Sequence, residues 1–566
     1  MTKFSIFTFG LALLLPACNS ASSDAPSGSG GSQATGGRSG SSGGTAGTAV
    51  GSGGSTAGTG GAAVASGGQA AGGASSATAG SGGSGGTGAG SSGSPGSAGS
   101  SSGGSAGSVS TGGGVGTGGT SSTAVTVQRA SKLQTIDGFG FNTALSNPSV
   151  NWDTFLGTGT NGLGLSIIRV AMDSSGKLNG PLPPASYKAK IIASPWTAPA
   201  SCKDNGSTTK GGHLLKSCYD SWSTTIANFA KAQGLYAMAA ANEPDFASCG
   251  TSIGPPCNGD YDTMVFTAKE MVEFVKVLGP KLKALDPPVK FMAPEASEWI
   301  HLWSNMSATG STVASHPNSS DPLKCGCFGN TPGTTGCAST CADGNGYDYG
   351  HWLAKDATAW SLIDIIGTHE YDTQKAEAWP ADVDGGKRTK PIWQTEVSGV
   401  KYWPEEVASA DIKNGVVVAG WIHSALTVGE ASAWLYWWYQ ASGDNEGLLL
   451  SGSSALTKRC YTLGNYSKFV RPGYTRVDIT GTVPTNVLLS AYTGDDGTVV
   501  VVAINKGTAA VSVPISSAGG ATAPATMTPN VTSDSDNLAA KAAVPVSGGT
   551  FTASLPGMSV TTFVGK

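Results

Sequence analysis

Apolar, strand-like runs recur through the central part of the chain, and stretches with helical spacing separate them. Between two of these runs, apolar residues from Met264 to Leu285 fall on one face of a helix predicted over 261–285. Alternating strands and helices favour a parallel sheet with crossover helices. The pattern predicts an α/β fold, a closed (β/α)₈ TIM barrel, with strands within 136–140, 166–170, 190–196, 235–243, 289–295, 362–369, 391–396 and 433–439.

The pattern changes near residue 472, where short β-rich runs follow one another and glycine or asparagine turns separate them. No stretch with helical spacing lies between these runs. They predict a side β-sandwich over 472–566, completed by a strand from 124–134, and the barrel then occupies 135–471. The expected role of the sandwich is to support the barrel, and a carbohydrate-binding role is the alternative.

The first 17 residues have the features of an export signal. Lys3 supplies a positive start, residues 4–15 an apolar run, and Pro16-Ala17 a small-residue exit. The apolar run is too short for a stable transmembrane helix. The sequence Leu15-Pro16-Ala17-Cys18 resembles a bacterial lipobox, so Cys18 is the predicted lipidation site, and an ordinary signal peptide is the alternative. We expect an exported chain, an outer-membrane or cell-surface lipoprotein or otherwise secreted, that meets the membrane only through a lipid anchor.

Residues 18–123 consist almost entirely of glycine, serine, alanine and threonine. Nearly half of the 85 glycines of the chain lie before residue 125. Such a segment has too little apolar surface to offset the entropy that it would lose on ordering. We therefore predict a disordered, flexible linker between the export signal and the folded region.

The charge balance excludes several classes of partner. The net charge is −4, which gives no basic surface for nucleic acid or anionic lipid. A neutral partner fits better. No motif points to a cofactor. The pair His369-Glu370 resembles part of a zinc-protease motif, but no histidine follows at the required spacing, so no metal site is predicted. The chain is expected to act as a monomer.

The cysteines after Cys18 are expected to form disulfides, because an exported chain meets an oxidising environment. Cys202 with Cys218 and Cys249 with Cys257 are the predicted local pairs. A cluster in a Gly/Pro/Thr-rich insertion is predicted to contain two more bridges, with a zinc site as the alternative; its members are Cys325, Cys327, Cys337 and Cys341. Cys460 is left over and is expected to be buried and free.

Two glutamates stand where predicted strands end. Pro244 cannot donate to a sheet ladder, so the strand before it must stop and present Glu243 at its carboxyl end. Glu396 ends another run in the same way, and the carboxyl ends of barrel strands form the active-site face. Cleaving a glycosidic bond needs one carboxylic acid and one carboxylate. We predict Glu243 as acid/base, with a raised pKa, and Glu396 as nucleophile, kept ionised by Arg169.

Aromatic side chains near other strand ends suit a sugar cleft, because flat rings stack on the C–H faces of sugars. The candidates are Trp196, Tyr371, Trp437, Trp438 and Tyr439. Several further carboxylates near strand ends are expected to support the site from behind or to lie in loops, namely Asp245, Glu295, Glu298 and Glu370. Of these, Glu295 is the one that we consider as a possible substrate contact.

Six dispersed motifs resemble glycoside hydrolase family 30, most closely its bacterial xylanase branch. They lie at 134–140, 193–199, 242–245, 292–295, 395–397 and 468–474. The resemblance implies a (β/α)₈ barrel with a side β-sandwich and a retaining mechanism that cleaves β-1,4-xylan, a plant cell-wall polysaccharide. It also implies that Glu243 is the acid/base, that Glu396 is the nucleophile and that Asn242 binds the sugar 2-hydroxyl. Arg169, Tyr371 and either Trp437 or Trp438 match the other conserved site residues of the wider clan.

One departure from that family concerns the branch of the substrate. Its glucuronoxylan-specific members carry arginines directly after the aromatic run of strand 8. Here Gln440 follows that run, and no cation occurs before Lys458. We therefore expect cleavage that does not depend on glucuronate branches. The alternatives are a β-1,6-galactanase or β-1,6-glucanase of the same family, or a non-catalytic surface lipoprotein that binds polysaccharide.

Overall fold

The computed structural model describes residues 125–145, 149–209, 211–246, 262–303, 348–371, 376–398, 411–440, 447–450, 452–520 and 522–566. The strands are β1 (Val125–Thr135), β2 (Gly138–Asn142), β3 (Ile167–Met172), β4 (Leu178–Asn179), β5 (Lys190–Pro195), β6 (Ala237–Ala239), β7 (Lys290–Ala296), β8 (Ile365–His369), β9 (Ile392–Glu396), β10 (Ala433–Tyr436), β11 (Thr475–Thr480), β12 (Val487–Thr493), β13 (Val499–Asn505), β14 (Val511–Ala518), β15 (Thr526–Thr532), β16 (Ala539–Ala540), β17 (Val544–Pro545), β18 (Thr550–Leu555) and β19 (Ser559–Gly565). The α-helices are α1 (Trp152–Leu156), α2 (Tyr219–Gln233), α3 (Ala268–Lys283), α4 (Trp299–Leu302), α5 (Tyr349–Lys355), α6 (Ala357–Leu362), α7 (Ile412–Thr427) and α8 (Lys458–Ser467).

The central sheet closes on itself and forms the predicted barrel. Its order is β2-β10-β9-β8-β7-β6-β5-β3, and β2 also pairs with β3 in parallel. The short β4 adds to β3 in antiparallel orientation outside this ring. Parallel pairing throughout the ring places the carboxyl ends of all its strands at one mouth.

Two separate apolar layers hold the barrel together. Inside the ring, small and branched side chains such as Ile167, Ala239 and Leu435 pack against Trp393. Outside the ring, a larger core includes the buried faces of α2, α3 and α7. Gly140 is required where β2 passes β3, because a Cβ there would lie 2.2 Å from the Ile167 carbonyl oxygen.

Helix α3 is shorter than the helix predicted over 261–285. It begins at Ala268, because the Thr267 side chain accepts from the backbone N–H of Glu270 and the Glu270 carboxylate accepts from the backbone N–H of Thr267. This capping box satisfies the first free N–H groups of a helix and fixes its start. Met264, which the apolar spacing placed on this helix, lies before it and is buried in the core.

The second sheet forms the side β-sandwich, and both ends of the folded region contribute to it. β1 pairs with β11 in antiparallel orientation and with β14 in parallel. Val125 and Val127 of β1 are buried in its core, together with Val477, Val501 and Phe563. Helices α7 and α8 of the barrel lie against strands of this sheet, which joins the two parts of the folded region. None of the helices in the described ranges combines the length and apolar character that a bilayer crossing requires.

A disulfide joins Cys202 to Cys218, as predicted. It closes the segment after β5 that carries Lys203, whose ammonium group donates to the hydroxyl of Thr197 at 3.1 Å. Cys460 is buried and free, as expected. The predictions for Cys18, the export signal and the linker fall outside the described residues. So do the disulfide candidates Cys249, Cys257, Cys325, Cys327, Cys337 and Cys341.

Replacing Cys202 and Cys218 together by serine is expected to lower the free energy of unfolding by about 3 kcal/mol, since a loop of this length loses that much closure entropy in the unfolded chain. Urea unfolding of the folded region measures the change. A loss below about 1 kcal/mol would mean that contacts such as those of Lys203 hold the segment without the bridge.

Candidate active site

The two predicted glutamates meet across the mouth of the barrel. Glu243 lies just after β6, and Glu396 is the last residue of β9. A carboxylate oxygen of each and a ring nitrogen of His369 all lie within 4.8 Å of one another. A retaining glycosidase holds its two carboxyl groups about 5–5.5 Å apart, so that one attacks the sugar while the other protonates the leaving group. The approach of these two carboxylates is compatible with such a pair.

Arg169 is the centre of the charge network beneath these carboxylates. It is fully buried on β3. Its Nη1 donates to Glu396 Oε2 at 2.7 Å, and its Nε donates to Glu295 Oε1 at 3.0 Å. Burial alone would lower the pKa of this guanidinium, but Glu295 and Glu396 raise it above its usual value. Arg169 is therefore a permanent cation beside the candidate nucleophile, as the sequence predicted.

Two asparagines complete the contacts of Arg169. Its Nη2 donates to Asn242 Oδ1 at 2.5 Å, and its Nη1 donates to Asn142 Oδ1 at 2.9 Å. The Asn142 amide in turn donates to the Thr395 carbonyl at 3.0 Å. The planar guanidinium of Arg169 thus fixes the orientation of the Asn242 side chain. The hydrogen-bond partners of Arg169 come from several strands around the barrel.

The second oxygen of Glu396 is also held. Tyr371 donates its hydroxyl proton to Glu396 Oε1 at 2.9 Å. Both oxygens of this carboxylate therefore accept a hydrogen bond, one from Arg169 and one from Tyr371. Donors that bind the charged form favour ionisation and fix the direction of attack.

His369 connects the two glutamates. Its Nε2 faces Arg169 Nη2 at 3.5 Å and must act as an acceptor there, because a guanidinium can only donate. The hydrogen then lies on Nδ1, which donates to Glu243 Oε1 at 3.0 Å. Burial lowers the pKa of this imidazole, which keeps it neutral. Glu243 Oε2 is the oxygen that remains to carry a proton.

The two glutamates differ in their electrostatic surroundings. Burial, together with the negative charge of Asp245, raises the pKa of Glu243 to about 8. Burial also raises the pKa of Glu396, but the charge of Arg169 and the hydrogen bond from Tyr371 oppose that rise. Glu396 contacts a cation directly and Glu243 does not, which favours the charged form of Glu396 over that of Glu243.

The backbone at this site is unusual at two glutamates. Glu243 has φ of 44° and Glu295 has φ of 66°, the left-handed region that residues with a side chain rarely adopt. The two are joined, because the Glu243 N–H donates to the Glu295 carbonyl at 3.1 Å. This conformation turns the chain sharply at the end of β6 and places the Glu243 side chain opposite Glu396.

An aromatic floor lies beside the charged centre. The Cζ atom of Arg169 lies 4.8 Å from the centroid of the Trp196 ring. The ring centroids of Trp196 and Trp437 are 6.2 Å apart, and those of the stacked rings of Trp437 and Trp438 are 5.5 Å apart. Trp196 and Trp437 are buried, and Trp438 is partly exposed. The structure brings these three predicted residues together next to Glu396 and Arg169, in a place where a sugar ring could stack.

Tyr439, which was predicted as a substrate contact, does not join this floor. Its ring is 2% exposed and packs between Phe141 and Phe155, and its hydroxyl donates to the Ser149 carbonyl. The chain after β10 turns this side chain back into the outer core. The prediction for Tyr439 is therefore corrected, and the tyrosine has a packing role.

The other carboxylates near the strand ends support the site or lie behind it. Glu295 is fully buried beneath Arg169 and is not a substrate contact. Glu370 points to the outer layer, where it accepts from the Trp434 ring N–H at 3.2 Å, and burial raises its pKa to about 8. Asp245 accepts from Ser297 and His301.

The sequence did not single out Asn142 or His369 as members of the site. Both are the last residues of barrel strands, β2 and β8. A polar residue at that position is the signal that could have found them, since the carboxyl ends of the strands form the catalytic face. His369 had been considered only as a metal ligand.

Glu243, His369 and Glu396 are the described residues whose ligand atoms are close enough together to hold a metal ion. Arg169 and His369 already supply the hydrogen bonds that these carboxylates need, and the guanidinium puts a positive charge at the position that a cation would share. The donor set is therefore better suited to acid/base chemistry than to metal binding.

Comparisons with known proteins show which proteins the chain is similar to. The sequence profile of the Glycosyl hydrolase family 30 beta sandwich domain matches residues 473–563. The chain is 28% identical over 465 residues to the glucuronoxylanase XynC of Bacillus subtilis strain 168, and the alignment covers 78% of this chain and 91% of that protein.

Two solved structures are similar over the same share of the chain. The glycoside hydrolase family 30 subfamily 8 xylanase Xyn30A from Clostridium acetobutylicum has a TM-score of 0.58 and 28% identity, with 78% of this chain and 99% of that chain covered. The GH30 endoxylanase from Clostridium papyrosolvens C71 has a TM-score of 0.57 and 28% identity, with 78% and 100% covered.

Proposed function

The chain belongs to glycoside hydrolase family 30 and is a glycosidase, and from that premise we propose that it cleaves β-1,4-xylan inside the polymer with retention of configuration. The observation that carries the proposal is the meeting of Glu243 and Glu396 within 4.8 Å, with the cation on the side of Glu396. The similarity to proteins named xylanases supports xylan as the polymer.

The first chemical step follows from the positions of the proton and the charge. The Glu243 carboxyl gives its proton to the glycosidic oxygen, and the C–O bond to the leaving sugar breaks. Glu396 Oε attacks the anomeric carbon and forms a glycosyl ester, while the leaving chain departs as an alcohol. Arg169 and Tyr371 hold Glu396 so that its attack needs no reorientation.

The second step uses the same residues with reversed roles. Glu243, now a carboxylate, takes a proton from water, and the resulting hydroxide equivalent attacks the anomeric carbon. The ester bond to Glu396 breaks, and its carboxylate is restored beside Arg169. Two inversions at one carbon give overall retention. Asn242, fixed by Arg169, is the residue that we assign to the sugar 2-hydroxyl.

We further propose that glucuronate branches are not required. The segment after Tyr439 begins with Gln440, contains Asp444 and Glu446, and has no arginine or lysine before Lys458. Carboxylates in that segment would repel a uronate, whereas an arginine would bind it. Residues 441–446 lie outside the described ranges, so this proposal rests on the sequence alone.

The proposal also includes the export signal, the lipid anchor at Cys18, the flexible linker over 18–123 and the domain limits predicted from the sequence. Together they would place a monomeric enzyme at the outer membrane or cell surface, or in the medium, where polymeric plant cell-wall xylan is found. Labelling of the exported chain with a radioactive fatty acid tests the anchor. Loss of the label in Cys18→Ser would support it.

The substrate is tested with the folded region starting at Val125 and with four polymers: glucuronoxylan, unbranched xylan, β-1,6-galactan and β-1,6-glucan. We expect both xylans to be cut at rates within about threefold of each other, since losing a charged branch contact would otherwise cost at least tenfold. Oligosaccharides of intermediate length in the products would show internal cleavage. A strict requirement for glucuronate contradicts the branch proposal alone, and cleavage of only a β-1,6-linked polymer contradicts the choice of xylan.

A further inference from the structure

A second buried carboxylate lies close to the candidate acid/base. Asp245 follows Glu243 by two residues, is 2% exposed, and turns away from the cleft. Its Oδ1 accepts from the Ser297 N–H at 2.9 Å. Its Oδ2 accepts from the Ser297 hydroxyl at 2.7 Å and from His301 Nδ1 at 2.6 Å. Ser297 and His301 belong to the segment after β7, so two adjacent barrel loops meet at this carboxylate.

Ser297 and His301 keep Asp245 ionised. In the described part of the chain, no lysine or arginine lies within ion-pair distance of its oxygens, and His301 is its one basic contact. Although burial opposes ionisation, the hydrogen bond and the charge of His301, together with the hydrogen bonds from Ser297, lower the pKa of Asp245 below its usual value. The mouth of the barrel thus contains a fixed anion that takes no part in the bond changes of the proposed mechanism.

The groups that face Glu243 come from several strands. Asp245 is on its own segment, Glu295 lies on β7, Glu298 on the segment after β7, Arg169 on β3, His369 on β8 and Glu396 on β9. Arg169 favours the ionised form of Glu243, and the carboxylates oppose it. After burial, Asp245 has the largest influence, and that influence holds the pKa of Glu243 high.

We propose that Asp245 is a positioning residue for catalysis, a constant negative charge, anchored by Ser297 and His301, that keeps the proton on Glu243 until the leaving group takes it. The inference rests on the proposed function of Glu243 as acid/base and assigns a cause to its protonation.

The value of a constant charge is clearest between the two steps. When Glu396 becomes an ester it loses its negative charge, and Glu243 then experiences one anion fewer. A general base is stronger when its conjugate acid has a higher pKa. Asp245 keeps its charge in both steps, so Glu243 stays basic enough to deprotonate water after Glu396 has been neutralised.

The test is the pH dependence of kcat/KM on xylan for the folded region. Glu243 must be protonated for the first step, so activity falls as pH rises through its pKa, and the alkaline limb of the native enzyme is expected near pH 8. Removing a like charge favours ionisation at lower pH. In Asp245→Asn the alkaline limb should therefore move down by about one pH unit.

A matched control makes the same change at the other end of the barrel. Asp364 precedes β8 at its amino end and accepts from the Phe291 N–H, so Asp364→Asn removes an aspartate charge far from Glu243. Its alkaline limb should coincide with that of the native enzyme. If Asp245→Asn does not fold, Asp245→Ser removes the same charge from a smaller side chain and is measured instead.

A folded Asp245 variant whose alkaline limb stays at the native position would overturn the inference, even if its kcat were lower, because a merely structural role lowers activity without moving the limb. Failure of the proposed function is a different result. In that case Glu243→Gln would remain active, whereas failure of this inference leaves Glu243→Gln inactive.

Discussion

Replacing Glu396 with glutamine is expected to lower kcat on xylan by at least about 10⁴-fold, because a neutral amide cannot form the glycosyl ester. Replacing Glu243 with glutamine should cost about 10²- to 10⁴-fold, the usual range for losing a general acid. Both changes keep the shape of the side chain, so circular dichroism and unfolding curves should remain close to those of the native chain. The measurement is the release of reducing ends from xylan.

An activated substrate separates the two roles. An aryl xyloside with a good leaving group needs no acid for the first step, so Glu243→Gln should still release the aryl group in an initial burst. Glu396→Gln should show neither burst nor turnover. Glu370→Gln is the matched control, because Glu370 is also a buried glutamate at a strand end but accepts from Trp434 in the outer layer. An inactive Glu370→Gln, or a Glu243→Gln variant that cleaves xylan at the native rate, would contradict the assignment.

Arg169→Met is expected to lower the free energy of unfolding by about 3–5 kcal/mol and to abolish measurable activity. The change removes a fully buried cation and leaves the carboxylates of Glu295 and Glu396 without a positive partner. Chemical unfolding at neutral pH measures the stability, and the xylan assay measures the activity.

The double variant Arg169→Met with Glu295→Gln distinguishes charge from packing. It removes one of the two uncompensated charges, so part of the lost stability should return while the activity stays lost. An Arg169→Met variant as stable as the native chain would show that these carboxylates are protonated in the fold and that Glu396 is not the nucleophile.

Strand ends determine the positions of two residues that sequence reasoning proposed. Glu243 is fixed by the proline after it and Glu396 by its place at the end of an apolar run, whereas Arg169 lies within β3, before that strand ends at Met172. Because the barrel strands pair in parallel, their carboxyl ends all lie at one mouth of the barrel. The meeting of these two glutamates could therefore be predicted without any knowledge of contacts.

What the sequence could not supply is the direction of individual side chains. Tyr439 and Trp437 lie two positions apart in one aromatic run, yet Trp437 joins the floor and Tyr439 packs among phenylalanines. The chain leaves β10 at Tyr436, and beyond that point the alternation of a strand no longer applies. The role of His369 likewise depends on the orientation of a side chain, because it depends on which ring nitrogen faces Arg169. The sequence does not determine that orientation.

The left-handed backbone of Glu243 and Glu295 has a consequence for how such an enzyme could change over generations. Each residue with a side chain in that conformation costs about 1–2 kcal/mol, a cost that glycine avoids. Glu295 is retained by its buried ion pair with Arg169, whose loss would cost more than the strain. Glu243 has no such pair with a lysine or arginine among the described residues, so selection for heat resistance alone would favour glycine there, and demand for turnover keeps the glutamate in place.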